Sequence, residues 1–234
     1  MLDLRFWGKG AAFYPVFGNT NAYFEAGGDL FFIDFGESTF EKVFRAVDFS
    51  RYRDVYVLLT HLHADHSGSL ASLISYAYCV LDIKVIVIHP MSKVNNLLES
   101  QGISTEFYEY REILPEGLAV SAHPVEVPHA KNMRCFGYVI TFEEDSLYYS
   151  GDASELPDSI LERFLCGEIK RIYQDTAGHE SQTHCCYKRL EEIIPTAERA
   201  RVFAMHFDDD YVELVRAKGF SVVEVAPINS SKQK

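Results

Sequence analysis

The densest run of chemistry in the chain is Thr60-His61-Leu62-His63-Ala64-Asp65-His66. Four groups able to ligate a cation fall within six residues, directly after the apolar stretch Val55-Tyr56-Val57-Leu58-Leu59. Alternation along an extended segment puts His61 and His63 on one side, and a turn after them brings Asp65 and His66 to a neighbouring point. Imidazole nitrogen and carboxylate oxygen suit zinc, and also iron or manganese. The bland alternative is a cluster of solvated side chains. Four such groups at the end of a buried strand, however, need partners.

A centre of this size needs donors from elsewhere. His129, Asp152 and His206 each stand just after, or at the end of, a strand-like stretch. Asp152 follows Tyr149-Ser150-Gly151, and a carboxylate on such a turn can give one oxygen to each of two cations. His206 follows Ala204-Met205. Alone it would read as a hydrogen-bonded histidine near the core, and the first motif changes that weighting. His123 competes with His129 for one ligand position. His89, after Val85 to Ile88, reads as structural or substrate-lining, with structure favoured. His179 lies in a loop from which it can approach substrate. His184 is either a surface histidine opening a helix or a group facing substrate. Asp175 is either an ordinary loop carboxylate or the group that orients a ligand imidazole. Asp208-Asp209-Asp210 resembles a further metal site but is more simply acid at a helix N-terminus. Tyr76, Tyr78, Tyr108 and Tyr110 can line a pocket for rings, although most tyrosines serve packing.

The elements that must position these groups follow from periodicity. Leu2 to Trp7, Thr20 to Glu25 and Leu30 to Asp34 read as strands. Ser38 and Glu41 have capping-box spacing, and Phe40, Val43, Phe44 and Val47 follow at helical intervals. Val55 to Leu59 and Lys84 to Ile88 read as buried strands around a helix marked by Leu70, Leu73, Ile74 and Ala77. Ala119 to Val127, Arg134 to Phe142 and Ser146 to Tyr149 read as successive strands of a second sheet. Helices are expected over Leu156 to Leu165, His184 to Ile194 and Asp209 to Lys218. Strands are expected over Ile169 to Tyr173, Ala200 to Ala204 and Ser221 to Val225. The tail Asn229 to Lys234 looks frayed. No repeat or linker divides the chain, which reads as one α/β domain over residues 1–234. Two mixed sheets packed face to face, or a less regular α/β sheet, would satisfy the pattern.

Composition bounds the function. The 234 residues carry 34 acidic and 22 basic side chains, a formal charge of -12. Such a surface disfavours coating of nucleic acid but leaves room for a small phosphate pocket. No apolar stretch is long enough to span a bilayer, and the N-terminus does not read as a signal peptide. The five cysteines include no C-x-x-C pair, so a reducing, cytoplasmic setting is the simplest expectation. The adjacent Cys185-Cys186 reads as buried apolar packing rather than a redox pair.

With these residues in place, the chain resembles the metallo-β-lactamase superfamily over about Gly8 to His206. The resemblance implies a four-layer αβ/βα sandwich, two mixed β-sheets with helices on the outer faces, and a dinuclear site at one edge. It also implies the ligand sets: His61, His63 and His129 on one ion, Asp65, His66 and His206 on the other, and Asp152 bridging. The ions would be zinc, with manganese or iron as alternatives. Ile33-Asp34-Phe35-Gly36-Glu37-Ser38-Thr39 is similar to the D-C-G-E-G-T block of ribonuclease Z-like proteins. Gly137-Tyr138 after His129, and Tyr173-Gln174-Asp175-Thr176 before His184, point to the same phosphodiesterase branch. His63 stands where the flavo-diiron branch carries Glu.

The block at Gln174 lacks the histidine of ribonuclease Z, and His184-Cys185-Cys186 replaces its His-Ser-Thr. No Gly/Pro-rich arm is present to clamp tRNA. A small phosphodiester or nucleotide is therefore the expected substrate, cleaved by a metal-bridging hydroxide. Asp65 would orient the nucleophile or take its proton, and His184 would protonate the leaving group or contact the phosphate. Lactone or thioester hydrolysis at the same centre is the first alternative, and tRNA 3'-end processing the second. A third is a non-enzymatic metal-binding protein, against which the full ligand set argues. A homodimer is expected from the branch, and large nucleic acid is a disfavoured partner.

Overall fold

A computed structural model describes residues 2–227. The tail expected to fray lies outside the described residues. The first half of the chain builds one sheet. Its elements are β1 (Arg5–Phe6), β2 (Ala22–Ala26), β3 (Asp29–Ile33), α1 (Thr39–Ala46), β4 (Val55–Leu58), α2 (Ala64–Ser67), α3 (Leu70–Leu81), β5 (Val85–Ile88), α4 (Lys93–Ser100) and β6 (Tyr108–Arg111). The second half builds the other, from β7 (Val120–Val127), β8 (Cys135–Phe142), β9 (Asp145–Tyr149), α5 (Asp158–Leu165), β10 (Arg171–Asp175), α6 (Tyr187–Ile193), β11 (Val202–Met205), α7 (Val212–Ala217) and β12 (Ser221–Val222).

Each sheet runs in chain order, β1 to β6 and β7 to β12. In each, the first three strands pair antiparallel and the rest pair parallel. Parallel strands need crossovers, and the helices supply them on the outer faces. This is the αβ/βα sandwich.

Period-2 alternation divides each strand between two cores. Phe31, Tyr56 and Leu58 face the second sheet, where they meet the layer of Tyr138, Ile140, Tyr149 and Met205. Leu30, Phe32, Val55 and Val57 face outward onto Val43, Leu73, Ile74 and Leu98 of the helices. Val139, Tyr148, Ile172 and Ala204 do the same beneath Ile160, Phe164, Leu190 and Val215. Burying each such side chain contributes about 1.5–3 kcal/mol.

Several local expectations need correction. Ser38 does not cap α1 through its side chain. It exchanges hydrogen bonds with Asn19, accepting from Asn19 N at 3.0 Å and donating its own N–H to Asn19 Oδ1 at 2.8 Å. Glu41 pairs instead with Arg45 one turn on, at 2.8 Å. Phe44 stays half exposed, so the apolar face of α1 is narrower than its spacing suggests. Residue His184 precedes α6 rather than opening it, and Asp208 to Asp210 precede α7, which begins at Val212. Sequence periodicity also missed α4, which buries Val94 and Leu98 one turn apart, and β6. Tyr76 packs on Phe40, Phe44 and Phe49, and Tyr78 stacks on Phe107. Tyr108 and Tyr110 bond Asn95 and the His89 carbonyl, so these four serve packing. No helix among the described residues is long and apolar enough to cross a membrane.

Candidate metal centre

The parallel registers align strand ends. Ile33 pairs with Leu58, and Leu58 with Ile88, while Asp175 pairs with Met205. Loops leaving these ends therefore converge along one edge of the sandwich, as in other open α/β sheets. The loop after β4 runs into α2, so His61 and His63 lie in extended chain and Asp65 and His66 on a single helical turn. The second sheet supplies His129 after β7, Asp152 after β9, Asp175 at the end of β10 and His206 after β11.

Their donor atoms form two groups that share Asp152: His61, His63, His129 and Asp152, and Asp65, His66, His206 and Asp152. Within each group the atoms lie within 4.8 Å of one another. Asp152 Oδ2 is 3.8 Å from His61 Nε2 and 3.6 Å from His129 Nε2. Its Oδ1 is 3.1 Å from His66 Nε2 and 3.2 Å from His206 Nε2. Asp65 Oδ2 approaches the same two nitrogens, at 3.1 and 3.3 Å. Each carboxylate oxygen of Asp152 thus serves a different group.

The donor chemistry fits cations. His66 Nε2 and Asp152 Oδ1 are buried, yet neither makes a hydrogen bond. His61 Nε2 and His63 Nδ1 stand 2.9 Å apart, a contact between two nitrogens that needs a proton or a cation between them. Charges alternate through the cluster. Burial acts to raise Asp65 and Asp152, but His66 and His206 hold both carboxylates well below their ordinary range. Burial opposes charge on His206, yet Asp152 and Asp175 push it up to about 10. Burial and the neighbouring imidazoles keep His61 and His63 low, hence neutral and able to ligate.

A ring of hydrogen bonds fixes these donors. Asp34 accepts from the Thr60 backbone at 2.7 Å and meets His66 Nδ1 at 2.7 Å. Asn21 donates to the Asp65 carbonyl at 3.1 Å, and the Thr183 carbonyl lies 2.8 Å from His129 Nδ1. Asp34 and His206 both hold φ near +63°, a region costly for residues with a Cβ. The sequence reading used Asp34 only as part of a block and passed over Asn21 and Thr183. Asp34 directly follows a buried strand, as His206 does, and that was the available signal.

Asp175 does not sit free in a loop. Its Oδ2 accepts from Ala153 N at 3.0 Å and meets His184 Nδ1 at 2.7 Å. His206 Nδ1 is 3.5 Å from its other oxygen. Asp175, His184, His206 and Asp152 also offer atoms within 4.8 Å of one another. The ring of His184 stacks on His206 at 5.1 Å, and its turned-back Nδ1 leaves Nε2 for a ligand. Burial opposes its charged form, but the Asp175 carboxylate raises its pKa above the ordinary value. A cleft of about 710 Å³ opens over this edge and takes in His63, Asp65, His129, Asp152, His184 and His206. His179 stands at its mouth, 3.2 Å from Asp208. His123 is exposed on β7, paired opposite Val139, away from the cluster. His89 turns its Nδ1 onto the Met91 backbone and lines a separate cleft.

The family model of Anti-Pycsar protein Apyc1 matches residues 2–224. The chain belongs to the Anti-Pycsar protein Apyc1 family. Among curated Apyc1 proteins, that of Paenibacillus xerothermodurans is 26% identical over 236 residues, 93% of this chain and 92% of its own. The Apyc1 of Bacillus phage 010DV004 is 24% identical over 249 residues, 93% of each chain. Solved structures share the fold of this Apyc1-family chain. The metallo-β-lactamase fold protein YhfI of Bacillus subtilis superposes with a TM-score of 0.76 at 16% identity, over 97% of both chains. A diphosphatase of the PhnP family gives 0.71 at 16% identity, over 97% of this chain and 96% of that one. Human short-form tRNase Z gives 0.69 at 16% identity, over 96% of both. The metallo-β-lactamase fold expected from the motifs is thereby established.

Proposed function

We propose that this metallo-β-lactamase-fold hydrolase is a phosphodiesterase for a small phosphodiester of the cyclic-nucleotide class. One observation carries the reading. The two oxygens of Asp152 divide between two donor groups, and His184, held from behind by the buried Asp175, lines the same cleft. His61, His63, His129 and Asp152 would hold one divalent cation, and Asp65, His66, His206 and Asp152 a second, with zinc the first choice for this donor set. Such a pair would lower the pKa of water and neutralise charge developing on the phosphoryl oxygens.

The remaining work falls to side chains. His184, held by Asp175 and raised in pKa, keeps a proton on Nε2 for the departing alkoxide. Phosphodiester cleavage needs such a donor because its leaving alcohol is a poor anion. Asp65 stands at the cleft, where it orients the nucleophile or accepts its proton. The Anti-Pycsar name borne by the relatives fits a cyclic nucleotide as the diester. The net charge of -12 and the 710 Å³ cleft also favour a small substrate over a whole tRNA.

The test is metal content of protein purified without chelator, with turnover of 3′,5′-cyclic nucleotides on the same sample. Two equivalents of metal and ring opening to the nucleoside monophosphate are expected. His184→Ala should keep its metal and lose about 10²- to 10⁴-fold in kcat. Metal-loaded protein that hydrolyses only lactones or thioesters, or only tRNA precursors, would overturn the reading.

A further inference from the structure

The chain between β1 and β2 carries a phenylalanine that packs on nothing. Phe13 is 98% exposed at the tip of a turn that Tyr14 N–H closes onto the Ala11 carbonyl at 3.1 Å. A lone exposed apolar side chain is ordinary on a protein surface. Two features set this one apart. It lines the cleft that holds His63, Asp65, Asp152 and His184, and among the described lining residues it is the one large apolar side chain. Its mount is also rigid. Ala11 N–H donates to the Phe207 carbonyl at 2.9 Å, and Phe207 N–H donates to Lys9 at 2.8 Å. Beneath the turn, Tyr14 packs edge-on against Phe17 at 5.0 Å, and Phe17 against Phe207 at 6.4 Å. The turn is thus fastened to the residue directly after His206.

We infer that Phe13 is the nucleobase platform of this site. With the phosphate at the Asp152 cluster, the cleft has room for a nucleoside, and the base lies on the Phe13 ring. This rests on the phosphodiesterase reading, which supplies the phosphate end. An aromatic ring accepts the π-face of any base, so the platform favours nucleotides over other diesters without strong choice among bases. The backbone of the turn is already closed by hydrogen bonds, so binding has only the ring to order and most of the stacking appears in affinity.

The experiment compares kcat/KM for a 3′,5′-cyclic nucleotide with that for the same ribose 3′,5′-cyclic phosphate lacking its base. In Phe13→Ala the preference for the nucleotide should fall about tenfold, through KM, with kcat for the nucleotide little moved. Phe13→Tyr and Phe13→Trp should restore it, and Phe13→Leu should not. Phe13→Trp adds an exposed indole to a chain whose native Trp7 is buried, so nucleoside monophosphate should quench its emission. An unchanged preference in Phe13→Ala overturns the inference while leaving the phosphodiesterase reading intact. So does an equal loss on both substrates with a changed sedimentation coefficient, which would make the ring a protein contact. Wild-type protein that opens neither ring overturns the underlying reading, and the platform falls with it.

Discussion

The two halves of the molecule share a plan and differ in how they deliver chemistry. Both open with antiparallel strands and continue in parallel, in chain order. The first half places His61, His63, Asp65 and His66 in one short segment, the loop after β4 and the helical turn α2. The second half spreads His129, Asp152, Asp175 and His206 over four strand ends. His89 and His206 show what this difference means. Each follows a four-residue apolar strand, β5 or β11, on the site edge of its sheet. His206, with φ of +63°, aims Nε2 at Asp65 and Asp152. His89 spends its Nδ1 on the Met91 backbone and sets its ring edge-on to Phe136 at 5.7 Å. The same local signature thus yields a histidine inside the donor cluster in one half and a histidine tied to the backbone in the other. The backbone turn after the strand decides which.

The sharpest way to break this contrast is at the shared residue. Asp152→Asn removes the charge that both donor groups face, leaving the crowded imidazoles of each half without their common anion. Metal content by mass spectrometry should fall from two equivalents to one or none, and kcat should fall by about 10³-fold or more, since uncompensated charge in a buried site costs several kcal/mol. Full occupancy in this variant would mean that the two donor groups bind independently of their shared carboxylate.

A smaller effect is expected one shell out. Asp34→Asn keeps the contact to His66 Nδ1 but loses the charge, and metal affinity by chelator competition should weaken about 10- to 100-fold. An unchanged affinity would show that the loop after β4 holds its geometry without support from β3.

The smallest effect should come from the structural histidine. Burial keeps His89 below its ordinary pKa, so the unfolded chain binds its proton more readily. The stability this lends is complete above about pH 6.5, the ordinary value, and declines as pH falls toward the lowered folded value. In metal-loaded protein, urea midpoints at pH 8 and pH 5.5 should therefore differ less in His89→Gln than in the wild type, with metal content unchanged. Loss of metal in His89→Gln would erase the distinction between the two strand-end histidines.

Much of the architecture was legible because burial is periodic. The unbroken apolar runs Leu30 to Ile33 and Val55 to Leu58 mark strands covered on both faces, and Leu70, Leu73, Ile74 and Ala77 mark the helix that covers one. Short amphipathic pieces such as α4, with two buried residues, left too little pattern to find. The capping spacing at Ser38 misled because Asn19, nineteen residues away, bonds that serine instead.

At the site, the sequence alone determined what local spacing can determine. His61, His63, Asp65 and His66 fall together as a set of donors able to hold a cation because their backbone path is short and follows a buried strand. Local spacing could not decide that the two oxygens of Asp152 would divide between two groups, each drawn from both halves of the chain. Nor could it decide that Asp175 would hold His184, that Asp34 would hold His66, or that His206 would point inward while His89 turned back. Those outcomes depend on strand register, on two left-handed backbone turns and on the packing of one sheet against the other. They couple residues as far apart in the chain as Asp65 and His206, and only the tertiary structure brings such residues within reach of one another.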